Sequence, residues 1–396
     1  MKYIVKTTYH KDDITSAIEK SEYGDEIVIT KGTYHSYPWT LKSGLTITLE
    51  EGANVYFSTD KRDYLKPTFI RFEGVECESF HPLIYSYNQN DITIRGKGCL
   101  FGNGYAWWKY KKMQQESCNR LCYAEAKHIP VSKRVIDIEH SCLRPDFINL
   151  IEGKNITLVD FTIQDSPMWM IHPVYIKNFT AKNITLISDG PNTDGIDPDS
   201  CEDVLIEGCT FQTGDDGIAI DSGLNEDGLR VNRPCKNIEV RNCQFYKGHA
   251  SVAIGSCMSG GVENVSIHDL QIHHSERGIR IKSLPGRGGY VRNIDVHDIQ
   301  MDEIEKEAID ITMHYPSSTS IPYSALSPKF EEMTFKDIEI KKAKIGVSAI
   351  GLSDSHIQNL KFQNIKFGNV EERLIKEYVD EDLSYLEEES ISSNID

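Results

Sequence analysis

Four short segments of the chain share one pattern and carry side chains capable of acid–base chemistry. They are GIDPDS from Gly195, GIAIDS from Gly217, SVAIGS from Ser251 and GIRIKS from Gly278. The second residue of each segment is apolar and is expected to point inward, so alternation along a strand sends the third and fifth residues outward. If the segments stack as strands of successive coils, the residues just before them stack as well.

The residues before these segments form two adjacent columns of catalytic candidates. Asp194 is predicted beside Asp216, and Asp215 beside His249. Glycoside hydrolysis needs an acid for the leaving oxygen and a carboxylate that activates water, about 6.5–9.5 Å apart in an inverting enzyme. We expect Asp194 and Asp216 to share that water, Asp215 to be the acid, and His249 to tune its proton. Mutual repulsion raises the pKa of one carboxyl group in such a cluster.

Two cations one coil further along, Arg280 and Lys282, suit a sugar carboxylate. Arg binds a carboxylate as a bidentate fork, and Lys binds it as a point charge. Asn192, Asp221 and Tyr315 complete the candidate substrate-binding residues. Taken singly, such residues are common in turns and on strand faces, but corresponding places on four consecutive coils favour one shared site. The site predicts hydrolysis of a glycan that contains uronic acid.

A sequence repeat would position these segments. Asn, Asp or Glu followed by alternating apolar and polar residues recurs with a spacing of roughly 28 residues, beginning at Asn155, Asn183, Asp203, Asn237, Asn264, Asn293, Glu332 and Asn359. Period-2 alternation indicates strands, and helical periodicity is lacking between the copies. One such strand per repeat, with further short strands between, is typical of a parallel β-helix whose coils stack about 4.8 Å apart. We therefore predict an all-β solenoid.

The repeat predicts a single domain over residues 1–396, because solenoids grow along one axis without splitting. Apolar residues at helical spacing within residues 10–24 predict a short N-terminal helix that caps the solenoid. Residues 61–150 are irregular and rich in aromatics, which indicates coils with long loops. The acidic C-terminal tail, residues 371–396, is expected to be a partly helical cap or disordered.

Charge and composition narrow the possible partners. The chain has 43 Lys and Arg against 60 Asp and Glu, a formal net charge of −17, which argues against nucleic acid or an anionic membrane as the main partner. The opening residues, MKYIVKTTYHKDD, lack the apolar core of a signal peptide and predict a cytoplasmic protein. Ten scattered cysteines are expected to be reduced thiols. We predict neither a cofactor nor a metal site, and the oligomeric state stays open.

The same residues resemble the signature motifs of glycoside hydrolase family 28, the polygalacturonases. The motifs are NTDGID at Asn192–Asp197, GDD at Gly214–Asp216, GH at Gly248–His249 and RIK at Arg280–Lys282. The resemblance covers most of the chain and is strongest to the bacterial and plant branches. It implies a right-handed β-helix that hydrolyses α-1,4-linked galacturonide with inversion. It also implies the roles given above for the three aspartates, the histidine and the two cations.

Departures from the family pattern surround the site. Gly217 follows the Asp pair where many relatives have Cys, Asp221 stands where the bacterial branch often has Lys, and Cys257 replaces a frequent Glu. Because Asp221 replaces this Lys, the chain lacks a cation at a place where an anionic sugar would bind. Rhamnogalacturonan or a substituted galacturonan is therefore an alternative substrate. A polysaccharide lyase and a non-catalytic carbohydrate-binding β-helix are further alternatives. The leading interpretation is exo-acting hydrolysis of imported oligogalacturonides, which a cytoplasmic enzyme would meet.

Overall fold

The chain folds as a right-handed parallel β-helix, as seen in a computed structural model. The structure describes residues 1–6, 10–136, 143–316 and 326–387. Each coil adds a strand to a first, a second and a third sheet in turn, and strands of successive coils pair in parallel. The predicted all-β solenoid is therefore confirmed.

The strands fall into groups according to the sheet that they join. Strands confined to the first sheet are Lys2–Val5, Glu26–Ile29, Thr46–Leu49, Glu202–Glu207 and Cys235–Arg241. Those of the second sheet are Gly32–Ser36, Ala53–Phe57, Cys99–Phe101, Thr162–Gln164, Thr185–Ile187, Thr210–Gln212 and Gln244–Lys247. Those of the third sheet are Trp39–Thr40, Ile218–Ile220, Val252–Ile254, Ile279–Lys282 and Glu307–Thr312.

Long strands bend from one sheet into the next, namely Ile84–Gly96, Ile148–Val159, Ile171–Lys182, Val262–Ser275, Tyr290–Ile304, Lys329–Ile350 and Gln358–Glu377. A separate antiparallel hairpin is formed by Thr68–Phe72 and Val75–Ser79. The α-helices are Asp13–Lys20, Lys111–Ala126 and Asn225–Val231. Single 3-10 turns are Lys61–Tyr64, Gly104–Ala106, Trp108–Tyr110, Val131–Lys133 and Ser384–Leu386.

A continuous row of β-branched side chains fills the interior beneath the third sheet. Its in-register members are each at most 1% exposed, and they are Ile84, Ile148, Ile171, Ile196, Ile218, Val252, Ile279, Ile309 and Val347. Burying each such side chain contributes about 1.5–3 kcal/mol. A slip of one residue would send polar neighbours into this core, so the row fixes the register of the outward-facing residues.

A ladder of residues in the left-handed conformation marks the bend before the first sheet. Asn155 and Asn178 have φ values of 58° and 60°, and the Asn178 amide donates to Asn155 over 2.9 Å. Asp203 continues this ladder. The predicted repeat start at Asn183 is wrong, because Asn183 donates instead to Asp160, at the next bend. Both bends need a left-handed residue, which Asn adopts at low cost, so similar strings occur at each.

The predictions for the two ends of the chain and for the loop-rich region were correct to different degrees. The capping helix is confirmed at Asp13–Lys20, with Ile14 and Ile18 buried. Within 61–150, the 16-residue helix Lys111–Ala126 was not predicted, because half of its buried residues are polar and the apolar period is therefore weak. In the acidic tail the last strand continues to Glu377 instead of ending, and residues 388–396 lie outside the described part. No helix in the described ranges has the length and apolarity to cross a bilayer.

Candidate active site

The turns that enter the third sheet bring the four catalytic candidates together. The amide of Gly195 donates to the Asp216 carbonyl over 3.0 Å, which stacks Asp194 on Asp216. The His249 amide donates to the Asp215 carbonyl over 2.9 Å, which stacks the second column. The structure thus places these residues in the two columns predicted from the sequence.

Three carboxylates converge at this point. One oxygen from each of Asp194, Asp215 and Asp216 lies within 4.8 Å of the other two. This is closer than the roughly 6.5–9.5 Å expected between the two carboxyl groups of an inverting hydrolase. Such a triangle can bind one water, and in geometry it can also ligate a cation. A positive charge is already supplied by Lys282, whose Nζ donates to Asp216 Oδ2 over 2.6 Å.

Burial and neighbouring charges favour the protonated form of Asp194. Burial, and then the charges of Asp215 and Asp216, raise the pKa of Asp194 well above its ordinary value. Its side chain is 6% exposed, and its Oδ1 has no hydrogen-bond partner among the described residues. Asp194 therefore has the raised pKa, whereas Asp215, the residue that the sequence suggests as the acid, does not.

Asp215 forms an ion pair with His249. Burial tends to raise the pKa of Asp215, but the hydrogen bond and charge of His249, followed by Lys282, outweigh it and lower the pKa. The hydrogen bond to Asp215 in turn raises the pKa of His249, against the effect of burial. The Nδ1–Oδ1 distance is 3.0 Å, and Glu276 lies 3.6 Å from Nε2 of the same ring. One proton is thus shared by the Asp215–His249 pair.

The predicted basic patch is present, but both of its cations are ion-paired within the protein. Lys282 contacts Asp216 as described, and the Arg280 Nε donates to Asp310 over 2.8 Å. The ring of Tyr315 lies 5.1 Å from the Arg280 guanidinium and 5.2 Å from the Lys282 ammonium. The remaining N–H groups of these cations are the ones left for a sugar carboxylate.

Asn192 connects the loop-rich region to the catalytic cluster. Its amide donates to Asp215 Oδ2 over 3.3 Å, and its Oδ1 accepts from Arg144 over 2.7 Å and from Lys111. Arg144 also donates to the carbonyl of Pro191 over 2.6 Å. Asn192 therefore orients Asp215 as well as lining the cavity.

A cavity of about 320 Å³ contains the cluster and is walled on one side by the loop-rich region. Further residues that the sequence did not indicate also line the cavity: Glu73 of the hairpin turn, Lys111 and Cys122 of the helix Lys111–Ala126, and Leu224 and Arg287 from later in the chain. Glu276 was also missed as a partner of His249. No local pattern marks the cavity-lining positions, because tertiary packing alone brings them to the site. Glu276 differs, because it stands two residues before its segment, as Asp215 and His249 do, and so falls in their column.

The hairpin is fastened where it blocks the groove. Arg71, which is 0% exposed, donates to Asp199 Oδ1 over 2.8 Å. The Leu224 amide donates to the Gly74 carbonyl over 2.9 Å. Asp221, the remaining substrate-binding candidate, lies just inside this closed end. The cavity is therefore closed towards the N-terminal coils.

The fold and the carboxylate cluster together define the class of protein: a right-handed parallel β-helix with an acid–base site in a cleft on one face. The chain belongs to the glycosyl hydrolases family 28, whose family model matches residues 24–384.

The relatives of the chain agree with this assignment. A probable polygalacturonase of Vitis vinifera is 31% identical over 82% of the chain and 64% of its own length. An exo-poly-alpha-D-galacturonosidase of Dickeya chrysanthemi is 24% identical over 84% and 59%. The chain thus spans about three fifths of these two relatives. The crystal structure of an exopolygalacturonase from Thermotoga maritima superposes with a TM-score of 0.89 at 30% identity, covering 95% of this chain and 89% of that one.

Proposed function

We propose that the protein hydrolyses α-1,4-galacturonide linkages at the ends of pectic oligosaccharides by an inverting acid–base mechanism. The observation that carries the proposal is the triangle of Asp194, Asp215 and Asp216 beside Lys282, in a cavity closed at one end. A closed end admits the terminus of a chain and excludes its interior. The polygalacturonase names of the relatives support the choice of sugar.

Each residue of the cluster has a distinct task in this mechanism. Asp216, paired with Lys282, accepts a proton from the attacking water, and Asp194 holds that water from the other side. Asp215 protonates the leaving oxygen. Its proton comes from His249, because a bound sugar excludes water and a less polar surrounding favours the neutral pair over the ion pair. His249 thus supplies the proton that Asp215 transfers to the leaving oxygen.

A substrate with a neutral sugar next to the scissile bond is the second candidate. Glu73 and Asp221 both line the closed end, and burial is the largest cause that raises the pKa of each. Two acidic side chains there favour hydroxyl groups over a sugar carboxylate. Rhamnogalacturonan fragments and substituted galacturonans meet this description.

The closed cavity also suits short oligomers. We propose that the protein acts on them in the cytoplasm.

Incubation with defined oligomers tests the proposal. Galacturonate oligomers, polygalacturonate and rhamnogalacturonan oligomers are supplied separately, and products are followed by NMR. Release of galacturonate monomer from the shortest oligomers first is the expected result, with the exposed variant Asp302→Asn as an active control. Unsaturated products that absorb near 235 nm and need Ca²⁺ would instead identify a lyase. Binding without turnover, unchanged in Asp215→Asn, would identify a binding module.

A further inference from the structure

Asp221 is a buried carboxylate without enough hydrogen-bond donors. The residue is only 5% exposed, it lines the cavity, and its Oδ1 has no partner among the described residues. Burial, followed by the charge of Asp199, raises the pKa of Asp221 to about 7. Buried polar groups in native proteins are normally paired, so an unpaired one in a binding cavity points to donors that the ligand supplies.

The place of Asp221 in the third sheet puts it at the last position that a ligand can reach. Asp199, Asp221, Gly255 and Lys282 occupy the same position on four successive coils. Asp199 is covered by Arg71, which ends the groove. Gly255 has no side chain, so the floor between Asp221 and Lys282 is open. One sugar lying over Gly255 would therefore have Lys282 at one end and Asp221 at the other.

The direction of this sugar follows from the position of the acid, and this step rests on the proposed function. Asp215 pairs with His249 on the following coil, which puts the leaving group on the side of Lys282, away from Asp199. The sugar over Gly255 is then the one that water attacks. Its C1 faces the catalytic cluster, and its C4 edge faces Asp221.

We propose that Asp221 is a specificity-determining residue, whose carboxylate accepts hydrogen bonds from the free 4-hydroxyl and neighbouring 3-hydroxyl of the non-reducing terminal sugar. In an internal sugar O4 belongs to a glycosidic bond and has no hydrogen to donate. The chain beyond O4 would also run into the Arg71–Asp199 pair. Asp221 thus recognises a chain end through a hydroxyl group that only a chain end possesses.

Trigalacturonate and its analogue with a 4-deoxy non-reducing terminus provide the test. The two compounds differ in one hydroxyl group, so the comparison needs no change in the protein. The parent should cleave trigalacturonate with a kcat/KM about 10- to 100-fold higher, the loss that a missing hydrogen bond to a charged group produces. Equal kcat/KM values would overturn the inference and leave the proposed function standing. If the parent cleaves neither compound, the proposed function is wrong and the inference falls with it.

Asp221→Asn, which preserves side-chain size, links the preference to this residue. Its kcat/KM for trigalacturonate should fall about 10- to 100-fold, while that for the 4-deoxy analogue changes less than about threefold. Asp221→Ala should behave alike, and Asp302→Asn should keep the parent preference. If Asp221→Ala, which removes the acceptor, keeps the full preference for the 4-hydroxyl, another residue recognises this group and the inference is wrong.

Discussion

The imidazole Nδ1 of His249 lies 3.0 Å from Oδ1 of Asp215, and this contact decides where the proton of the active site is held. The contact lowers the pKa of Asp215 and raises that of His249. The two residues titrate as one system, so the proton belongs to the pair rather than to either member. In the proposed mechanism, Asp215 receives its proton from His249 when bound substrate changes the balance within the pair.

Asp215→Asn should abolish turnover and leave binding nearly intact. The amide cannot deliver a proton to the leaving oxygen, so kcat should fall by about 10²–10⁴-fold, the usual contribution of general acid catalysis. The affinity for trigalacturonate, measured by calorimetry, should stay within a few-fold of the parent. A variant that keeps parental kcat would refute the assignment of Asp215 as the acid. Asp302→Asn serves as the matched control on the exposed surface.

The register of the third sheet could be predicted from sequence because its determinants are local. Apolar second residues at Ile196, Ile218, Val252 and Ile279 mark the inward face, and the polar neighbours then follow. All four segments share this pattern, so the columns of aspartates could be predicted from the sequence alone. Asn183 was misplaced because two bends of each coil need the same left-handed residue.

The closed end of the cavity could not be predicted in the same way. The Gly74 carbonyl meets the Leu224 amide where Arg71 fastens the hairpin onto Asp199, a contact between residues 128 positions apart. The proton distribution was also beyond sequence reasoning. Whether Asp194 or Asp215 has the raised pKa depends on their burial and on the distance to His249, which three-dimensional packing sets.

Glu276→Gln should lower the pH at which activity is lost on the alkaline side. The charge of Glu276 helps to raise the pKa of His249, so its removal lets the imidazolium lose its proton at a lower pH. The shared proton is then lost earlier as pH rises, and the alkaline limb of kcat/KM should move to lower pH. Glu239→Gln, next to His268 on the first sheet, is the matched control. An unchanged alkaline limb would mean that Glu276 only supports the fold.

Lys282→Met and Arg280→Ala should affect different kinetic parameters. Lys282 donates to Asp216 over 2.6 Å, so losing its charge disturbs the group proposed to activate water and should lower kcat by about 10²-fold. Arg280 is paired with Asp310, and its guanidinium lies 5.1 Å from the ring of Tyr315, which lines the cavity, so its loss should mainly raise KM for carboxylate-bearing substrates. Lys341→Met, in an exposed pair with Asp302, provides the control. If both site variants handled oligogalacturonides like the parent, neither cation would bind the sugar carboxylate.

The anomeric form of the first product tests the water site itself. The nearest oxygens of the three aspartates lie within 4.8 Å, closer to the roughly 5–5.5 Å of retaining enzymes than to the 6.5–9.5 Å of inverting ones. Retention, however, requires a carboxylate free to bond C1, and Asp216 is held by Lys282 while burial and its neighbours raise the pKa of Asp194. A water between Asp194 and Asp216 is therefore the better nucleophile, and the α-linkage should yield β-galacturonate first. Proton NMR within the first minutes would detect it. An initial α-product, or transfer of the sugar to added methanol, would show that a carboxylate attacks instead of water.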